Sequence, residues 1–206
     1  MAWLEKEENH DKSFWKFFKT TEMFSDSFLG NHQLWRSPVC IGHLRHQGSC
    51  VGIPNYFNTH PFRYGPFIFC HNGKINDFSI HKNTLWKSIH PRLRSQIKGQ
   101  TDSEYLFFLL LSFCQEEDNM LPAFLQLDEW MKQREIIYYG NFILGTPRKI
   151  WITRLTNCPS QSCCSLYMDN QQHIISSEPL RKDWKVFPVQ KIGLFDLEKE
   201  TFEFVF

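Results

Sequence analysis

The 206-residue sequence lacks the features that mark nucleic-acid-binding and membrane proteins. Its 23 basic residues nearly cancel its 22 acidic ones, and no block of like charge extends beyond a few residues. A surface that binds nucleic acid or an anionic membrane needs a basic footprint, so neither partner is expected. No apolar run approaches the roughly 18 residues that span a bilayer. The N-terminal stretch is charged where a signal peptide would be apolar, which predicts a cytoplasmic protein.

Cysteine and histidine are present without the spacing of a metal site or a disulfide framework. The seven cysteines are an odd number, and the group Cys158–Cys164 lacks the two-plus-two spacing of zinc ligands. His43 and His46 would face opposite sides of a strand, and no histidines pair at i,i+4. No metal and no cofactor is expected. The other cysteines, such as Cys40 and Cys70, lie in apolar runs, which predicts reduced thiols within buried strands.

Large apolar side chains are abundant, with 20 Phe and 7 Trp, and can fill the core of one domain. Strands, then helices, then strands at hairpin spacing predict an α+β fold with antiparallel sheets. The predicted strands before the helices are 3–4, 13–18, 39–44 and 67–70, and the predicted helices are 21–34, 79–97 with a break at Pro91, 101–114 and 119–134. The predicted strands after the helices are 136–144, 149–155, 165–168, 173–176, 184–188, 193–197 and 201–206.

Polar residues stand at three ends of these apolar elements. Arg45 follows the strand predicted at 39–44, and Asn72 and Gly73 follow the strand predicted at 67–70. Asp102 opens the most apolar helix. Taken singly, each has an ordinary interpretation: a surface ion-pair partner, a hairpin turn, and an acid at a helix N-terminus. The dipeptide Asn72-Gly73 by itself favours a two-residue type I′ hairpin turn.

As an ordered set, these residues resemble motifs of the class II glutamine amidotransferases. The matching segments are Gly42–Arg45, Asn58–Phe62, Phe69–Ile75, Thr101–Glu104 and Ser176–Leu180. Proteins of this family are N-terminal-nucleophile hydrolases with an αββα sandwich of antiparallel sheets. The likeness is greatest to compact single-domain members related to γ-glutamyl hydrolases. Because it covers nearly the whole chain, it implies one amidotransferase type-2 domain over residues 1–206.

The resemblance implies roles for four residues. The side-chain amide of Asn72 and the backbone N–H of Gly73 would form an oxyanion hole. Arg45 would pair bidentately with the α-carboxylate of the ligand, and Asp102 would bind its α-ammonium group. The implied ligand is glutamine or a γ-glutamyl small molecule. An oligomer and a synthase partner both stay open.

The resemblance also implies a nucleophile that this sequence does not show. In the family, a cysteine becomes the first residue after methionine removal, whereas Ala2 is the second residue here. No nucleophile is assigned, and we expect an N-terminally truncated domain that hydrolyses glutamine poorly. Three functions stay open. They are a truncated amidotransferase whose complete form is active, a pseudoenzyme that binds a glutamyl ligand or a protein partner, and an interaction module with a vestigial pocket.

Overall fold

The computed structural model describes residues 1–6, 13–19, 37, 39–44, 55–158, 165–169 and 174–206. Within these ranges the chain forms twelve strands and four helices, with a 3₁₀ turn at Tyr56–Asn58. The strands are β1 (Ala2–Lys6), β2 (Ser13–Phe17), β3 (Cys40–Ile41), β4 (Phe62–Tyr64), β5 (Phe67–Ile75), β6 (Tyr138–Gly145), β7 (Lys149–Thr156), β8 (Tyr167–Asp169), β9 (Ile174–Ser176), β10 (Lys185–Val186), β11 (Lys191–Asp196) and β12 (Thr201–Phe204). The helices are α1 (Phe78–Ser88), α2 (Pro91–Arg94), α3 (Asp102–Phe113) and α4 (Leu121–Gln133).

A six-stranded antiparallel sheet, in the order β12-β11-β7-β6-β5-β4, forms the centre of the fold. Two three-stranded antiparallel sheets, β2-β1-β3 and β10-β8-β9, accompany it. Every strand pair in the described part of the chain is antiparallel. The predicted α+β fold with antiparallel sheets is confirmed.

The large sheet is covered by apolar side chains on both faces. On one face it packs against the helices, where the rings of Phe69 and Phe107 stack at 5.0 Å. On the other face Ile68 and Ile152 pack with Leu4 and Trp15 of the small sheet. The described layers are therefore helices, large sheet and small sheets. The helix predicted at 21–34 lies outside the described residues.

The helices predicted at 79–97 with a break at Pro91, at 101–114 and at 119–134 are confirmed, with small shifts at their ends. Helix α3 is buried from Ser103 to Leu111, as its all-round apolar sequence predicts. Pro122 lies in the first turn of α4, where its missing N–H costs no helical hydrogen bond. The strand predicted at 39–44 is wrong in its extent and burial. Strand β3 pairs with β1 through two residues, Cys40 is exposed, and Leu44 is 74% exposed.

The hairpin turn predicted at Asn72-Gly73 is wrong. Both residues lie inside β5, where they pair with Asn141 and Gly140 of β6. The physical reason is that β6 offers β5 an unbroken register of eight residue pairs. Long-range pairing across that length outweighs the local preference of one dipeptide.

Candidate functional site

Alternation along β5 sends neighbouring motif residues to opposite faces of the large sheet. His71 contacts Ser103 of α3 on the helix-covered face, whereas Cys70 packs in the core between the sheets. Asn72 shares the face of Cys70, because strand side chains alternate with a period of two. Its side chain is exposed. The amide of Asn72 is thus presented at the end of the layer between the sheets.

Gly73 lies where β5 and β6 approach each other too closely for a side chain. A Cβ atom at this position would overlap the backbone oxygen of Tyr139 and would lie 2.5 Å from Nε2 of His71. Because backbone atoms cannot move aside cheaply, the position requires glycine. The glycine therefore preserves the contact between His71 and β6.

The backbone N–H of Gly73 points away from β6. Asn76 donates its N–H to the carbonyl of Ile137 at 2.9 Å, and antiparallel strands alternate between bonded and non-bonded pairs. The amides of Gly73 and Ile75 are therefore directed to the opposite edge of β5. Strand β4 pairs with that edge only as far as Phe69 in the described structure. The N–H of Gly73 therefore lies beyond the described end of β4.

Asp102 is held at that same edge. Its Oδ2 accepts the N–H of Ile75 at 2.8 Å, and its Oδ1 accepts the N–H of Ser103 at 2.8 Å. Gly73 and Ile75 are two residues apart, about 6.8 Å along the strand. Oδ1 also lies 3.4 Å from the hydroxyl of Ser103, whereas Oδ2 keeps a further lone pair for a ligand. Asp102 therefore lies on the same edge of β5 as the N–H of Gly73.

A buried hydrogen bond between His71 and Ser103 connects β5 with the start of α3. His71 is 2% exposed, and its Nε2 donates to the carbonyl of Tyr139 at 2.8 Å. That bond assigns Nδ1 as the acceptor of the Ser103 hydroxyl at 2.9 Å. Burial lowers the pKa of His71, and the charge of Asp102 opposes this shift. A neutral imidazole therefore joins β5, β6 and α3.

The first turn of α3 is fixed by two polar contacts. Thr101 caps the helix, since its Oγ1 accepts the N–H of Glu104 at 3.3 Å. The carboxylate of Glu104 accepts the backbone N–H groups of Lys98 and Gly99 at 2.8 and 2.7 Å. In a capping box, it would instead accept the backbone N–H of Thr101. Burial raises the pKa of Glu104, and these two bonds oppose the rise. The carboxylate of Glu104 thus holds the loop that precedes α3, and this loop positions Asp102 beside β5.

The Asn58–Phe62 motif packs beside this loop. Asn58 Oδ1 accepts the N–H of Gln100 at 2.8 Å, immediately before Thr101. His60 is 5% exposed, and its ring lies 4.7 Å from that of Phe62. Three of the segments that match the family, Asn58–Phe62, Phe69–Ile75 and Thr101–Glu104, therefore meet near the start of α3. Arg45, which belongs to the segment Gly42–Arg45, lies outside the described residues.

Sequence reasoning missed His71, Ser103 and Asn58 as residues that position the site. A signal existed for His71, because period-two alternation puts it on the same face as Gly73. Ser103 follows Asp102 in the first helical turn, where short polar side chains can bond outward. Nothing in the spacing of Asn58 indicated its partner, which is 42 residues away.

Three of the four described cysteines do not offer a ready nucleophile. Burial raises the pKa of Cys70 to about 12. Partial loss of solvent around the thiols of Cys40 and Cys114 also raises their pKa values. A thiol attacks as its thiolate, so these three are poor nucleophiles at neutral pH. Cys40 is exposed rather than buried, which corrects the sequence prediction, whereas Cys70 is buried as predicted.

Metal-binding clusters and membrane-spanning helices are absent from the described ranges. Within them, no group of three His, Cys, Asp or Glu residues is placed to hold a metal ion. No helix there is long and apolar enough to cross a membrane. A groove of about 490 Å³ between α1 and α3 contains none of the predicted site residues. It is lined by Ser79, Lys82, Asn83, Trp86 and Tyr105.

Comparison with solved structures finds the same fold. A class II glutamine aminotransferase domain protein from Silicibacter pomeroyi superposes with a TM-score of 0.56 at 22% identity, over 70% of this chain and 69% of that one. The glutamine phosphoribosylpyrophosphate amidotransferase of B. subtilis gives a TM-score of 0.46 at 15% identity, over 79% of this chain and 33% of that one. The first superposition supports the fold, whereas the TM-score of the second is too low for a comparison of geometry.

Comparison of sequences identifies the family. The probable glutamine amidotransferase DUG3 of Saccharomyces cerevisiae is 37% identical over 76 residues, which are 37% of this chain and 21% of the yeast protein. The match thus spans about a fifth of the length of that relative. The family model described as glutamine amidotransferases class-II matches residues 1–155. Since this match covers most of the 206 residues, the chain belongs to the class II glutamine amidotransferases.

Proposed function

We propose that the chain binds glutamine, or a γ-glutamyl small molecule, at the Asn72 end of β5. The observation that carries the proposal is that Asp102 is anchored on the edge of β5 to which the N–H of Gly73 is directed, beyond the described end of β4. Asn72 and Gly73 donate to the side-chain carbonyl of the ligand, and Asp102 accepts its α-ammonium group. Donors of this kind are typically worth about 2.7–4 kcal/mol each to an oxyanion.

Arg45 supplies the cation of the proposed site. An α-amino acid carries one negative and one positive charge, so its recognition needs a fixed partner for each. A guanidinium matches a carboxylate with two parallel hydrogen bonds, which lysine cannot copy. Because Arg45 lies outside the described residues, its role rests on the sequence motif.

We further propose that the chain as written binds its ligand with little turnover. The described thiols support this, because burial raises the pKa values of Cys40, Cys70 and Cys114. Loss of a covalent nucleophile costs about 10⁶ in rate in a well-studied hydrolase. An incomplete type-2 domain whose complete form is active and a binding pseudoenzyme both fit. They differ in whether a cysteine nucleophile precedes Met1 in the native protein.

Calorimetric titration with L-glutamine tests the site. Asp102→Asn keeps the size of the side chain and removes its charge, so binding should weaken about 10- to 100-fold, as expected for a hydrogen bond to a charged group. Asp183→Asn is the matched control, because Asp183 is exposed and remote in sequence from the motifs. Equal glutamine affinity in wild type and Asp102→Asn would contradict the proposal.

A further inference from the structure

Arg154 of β7 is a buried cation that the proposed glutamine site does not use. It is 7% exposed, and its Nη1 donates to the carbonyl of Phe187 at 2.7 Å. No carboxylate in the described part of the chain forms an ion pair with it. A guanidinium carries five N–H donors, and burial without an anion costs several kcal/mol. One neutral carbonyl leaves most of this hydrogen-bonding capacity for another partner.

The strand register places Arg154 level with Asn72. Asn72 pairs with Asn141, and Asn141 pairs with Arg154. Directly paired residues project from the same face of a sheet, so both side chains enter the layer between the sheets. Neighbouring strands are 4.7–4.9 Å apart, which puts the two backbones about 9.6 Å from each other. Arg154 is therefore two strands to one side of Asn72, and its side chain projects from the same face of the sheet.

We propose that Arg154 binds a carboxylate attached beyond the amide nitrogen of the ligand. The inference rests on the proposed function, and it identifies the ligand as a γ-glutamyl amino acid or short peptide. An extended chain spans about 3.3–3.6 Å per residue, so a C-terminal carboxylate one or two residues beyond the amide lies within the distance between the two strands. Glutamine has a neutral NH₂ group at this position and leaves Arg154 without an anion.

Three probes test the inference by calorimetry: L-glutamine, γ-L-glutamylglycine and γ-L-glutamylglycinamide. The last two differ in the charge of the terminal group. Wild type should bind γ-glutamylglycine about 10- to 100-fold more tightly than the glycinamide, because hydrogen bonds to a charged group are worth that ratio. In Arg154→Gln, which keeps a donor for the carbonyl of Phe187, this preference should disappear while glutamine still binds.

Lys191→Gln is the matched control, because Lys191 is an exposed cation paired with Arg154 across β11 and β7. It should keep the preference for γ-glutamylglycine. Equal wild-type affinity for the two dipeptide probes, with glutamine bound, overturns this inference alone. Loss of glutamine binding in folded Arg154→Gln also overturns it, since Arg154 would then serve the glutamyl head. Absence of binding by all three probes overturns the proposed function together with it. If Arg154→Gln does not fold, the wild-type ratio decides.

Discussion

At the scale of single residues, the candidate site depends on how closely β5 and β6 approach each other. Gly73 permits that approach, and His71 uses it to reach the carbonyl of Tyr139. The same imidazole accepts a hydrogen bond from Ser103, so one buried ring orients both the oxyanion segment and the start of α3. Neither residue needs to touch a ligand to matter for binding.

Gly73→Ala should destabilise the protein by about 1–3 kcal/mol, the usual cost of forcing extra atoms into a packed site. The added methyl group would overlap the backbone oxygen of Tyr139. Urea unfolding measures the change. Gly42→Ala is the control, because a Cβ there meets nothing within 4 Å, and its effect should stay within about 0.5 kcal/mol. Equal stability of the two variants would refute the proposed close approach.

His71 should make the protein sensitive to mild acid. Its folded-state pKa is lowered below the unfolded value of 6.5, so the unfolded chain binds more protons below that pH. The contribution of His71 is complete above about pH 6.5 and is lost progressively as the pH falls below it. Urea unfolding between pH 8 and pH 5 should therefore show a larger loss in wild type than in His71→Asn.

His81→Asn is the control for this experiment and should keep the wild-type loss of stability in acid. The raised pKa of Glu104 acts in the opposite direction, favouring the folded state at lower pH. That contribution is present in every variant and cancels in the comparison. Parallel stability curves for wild type and His71→Asn would show that His71 is not buried in its neutral form.

At the scale of elements, the start of α3 decides where the acid of the site lies. The helix is apolar on all faces, so burial alone does not specify its first residue. The cap formed by Thr101 and the bonds from Lys98 and Gly99 to Glu104 fix the residue at which the helix begins. Asp102 then meets the edge of β5 at Ile75.

Thr101→Ala should cost about 1 kcal/mol of stability, because removal of an N-cap side chain leaves a helix N–H without its partner. It should also weaken glutamine binding, since the neighbouring Asp102 would be held less firmly. Thermal unfolding and calorimetry measure the two effects. Thr84→Ala, at an exposed interior position of α1, is the control and should be neutral or slightly stabilising. Unchanged stability and affinity in Thr101→Ala would contradict this role for the cap.

At the scale of the whole molecule, the sandwich brings together segments that are far apart in sequence. The Asn58 loop, the second half of β5 and the first turn of α3 meet through direct hydrogen bonds. The core between the sheets encloses Cys70, and this burial keeps its thiol protonated at neutral pH. Of the described thiols, that of Cys70 is therefore a poor nucleophile at neutral pH.

The chain as written should release no ammonia from glutamine above background, because the described thiols with raised pKa values cannot attack as thiolates. A coupled ammonia assay on the purified 206-residue chain measures this. Cys40→Ala and Cys70→Ala should then match wild type. A rate near that of an active family member, abolished by one Cys→Ala substitution, would refute the prediction and identify the nucleophile.

The sequence by itself determined the helices and most of the strands, because their signals are local. The apolar run from Tyr105 to Phe113, the cap at Thr101 and Pro122 in the first turn of α4 each act within a few residues. The order of the motifs also predicted the family. That Asp102 and the Asn72-Gly73 segment share one ligand site stays a prediction, and Asp102 bonds to Ile75 on the same strand as Gly73.

The tertiary structure alone decided the details that depend on distant partners. Asn72-Gly73 is strand and not turn, because β6 pairs with it from more than sixty residues away. Cys40 is exposed, because the described strand β3 is short and pairs with β1 through two residues only. Arg154 reads in the sequence as one polar residue of an apolar strand. Its burial, and its register with Asn72, exist only once β5, β6 and β7 are aligned, since cross-strand contacts are not encoded in local spacing.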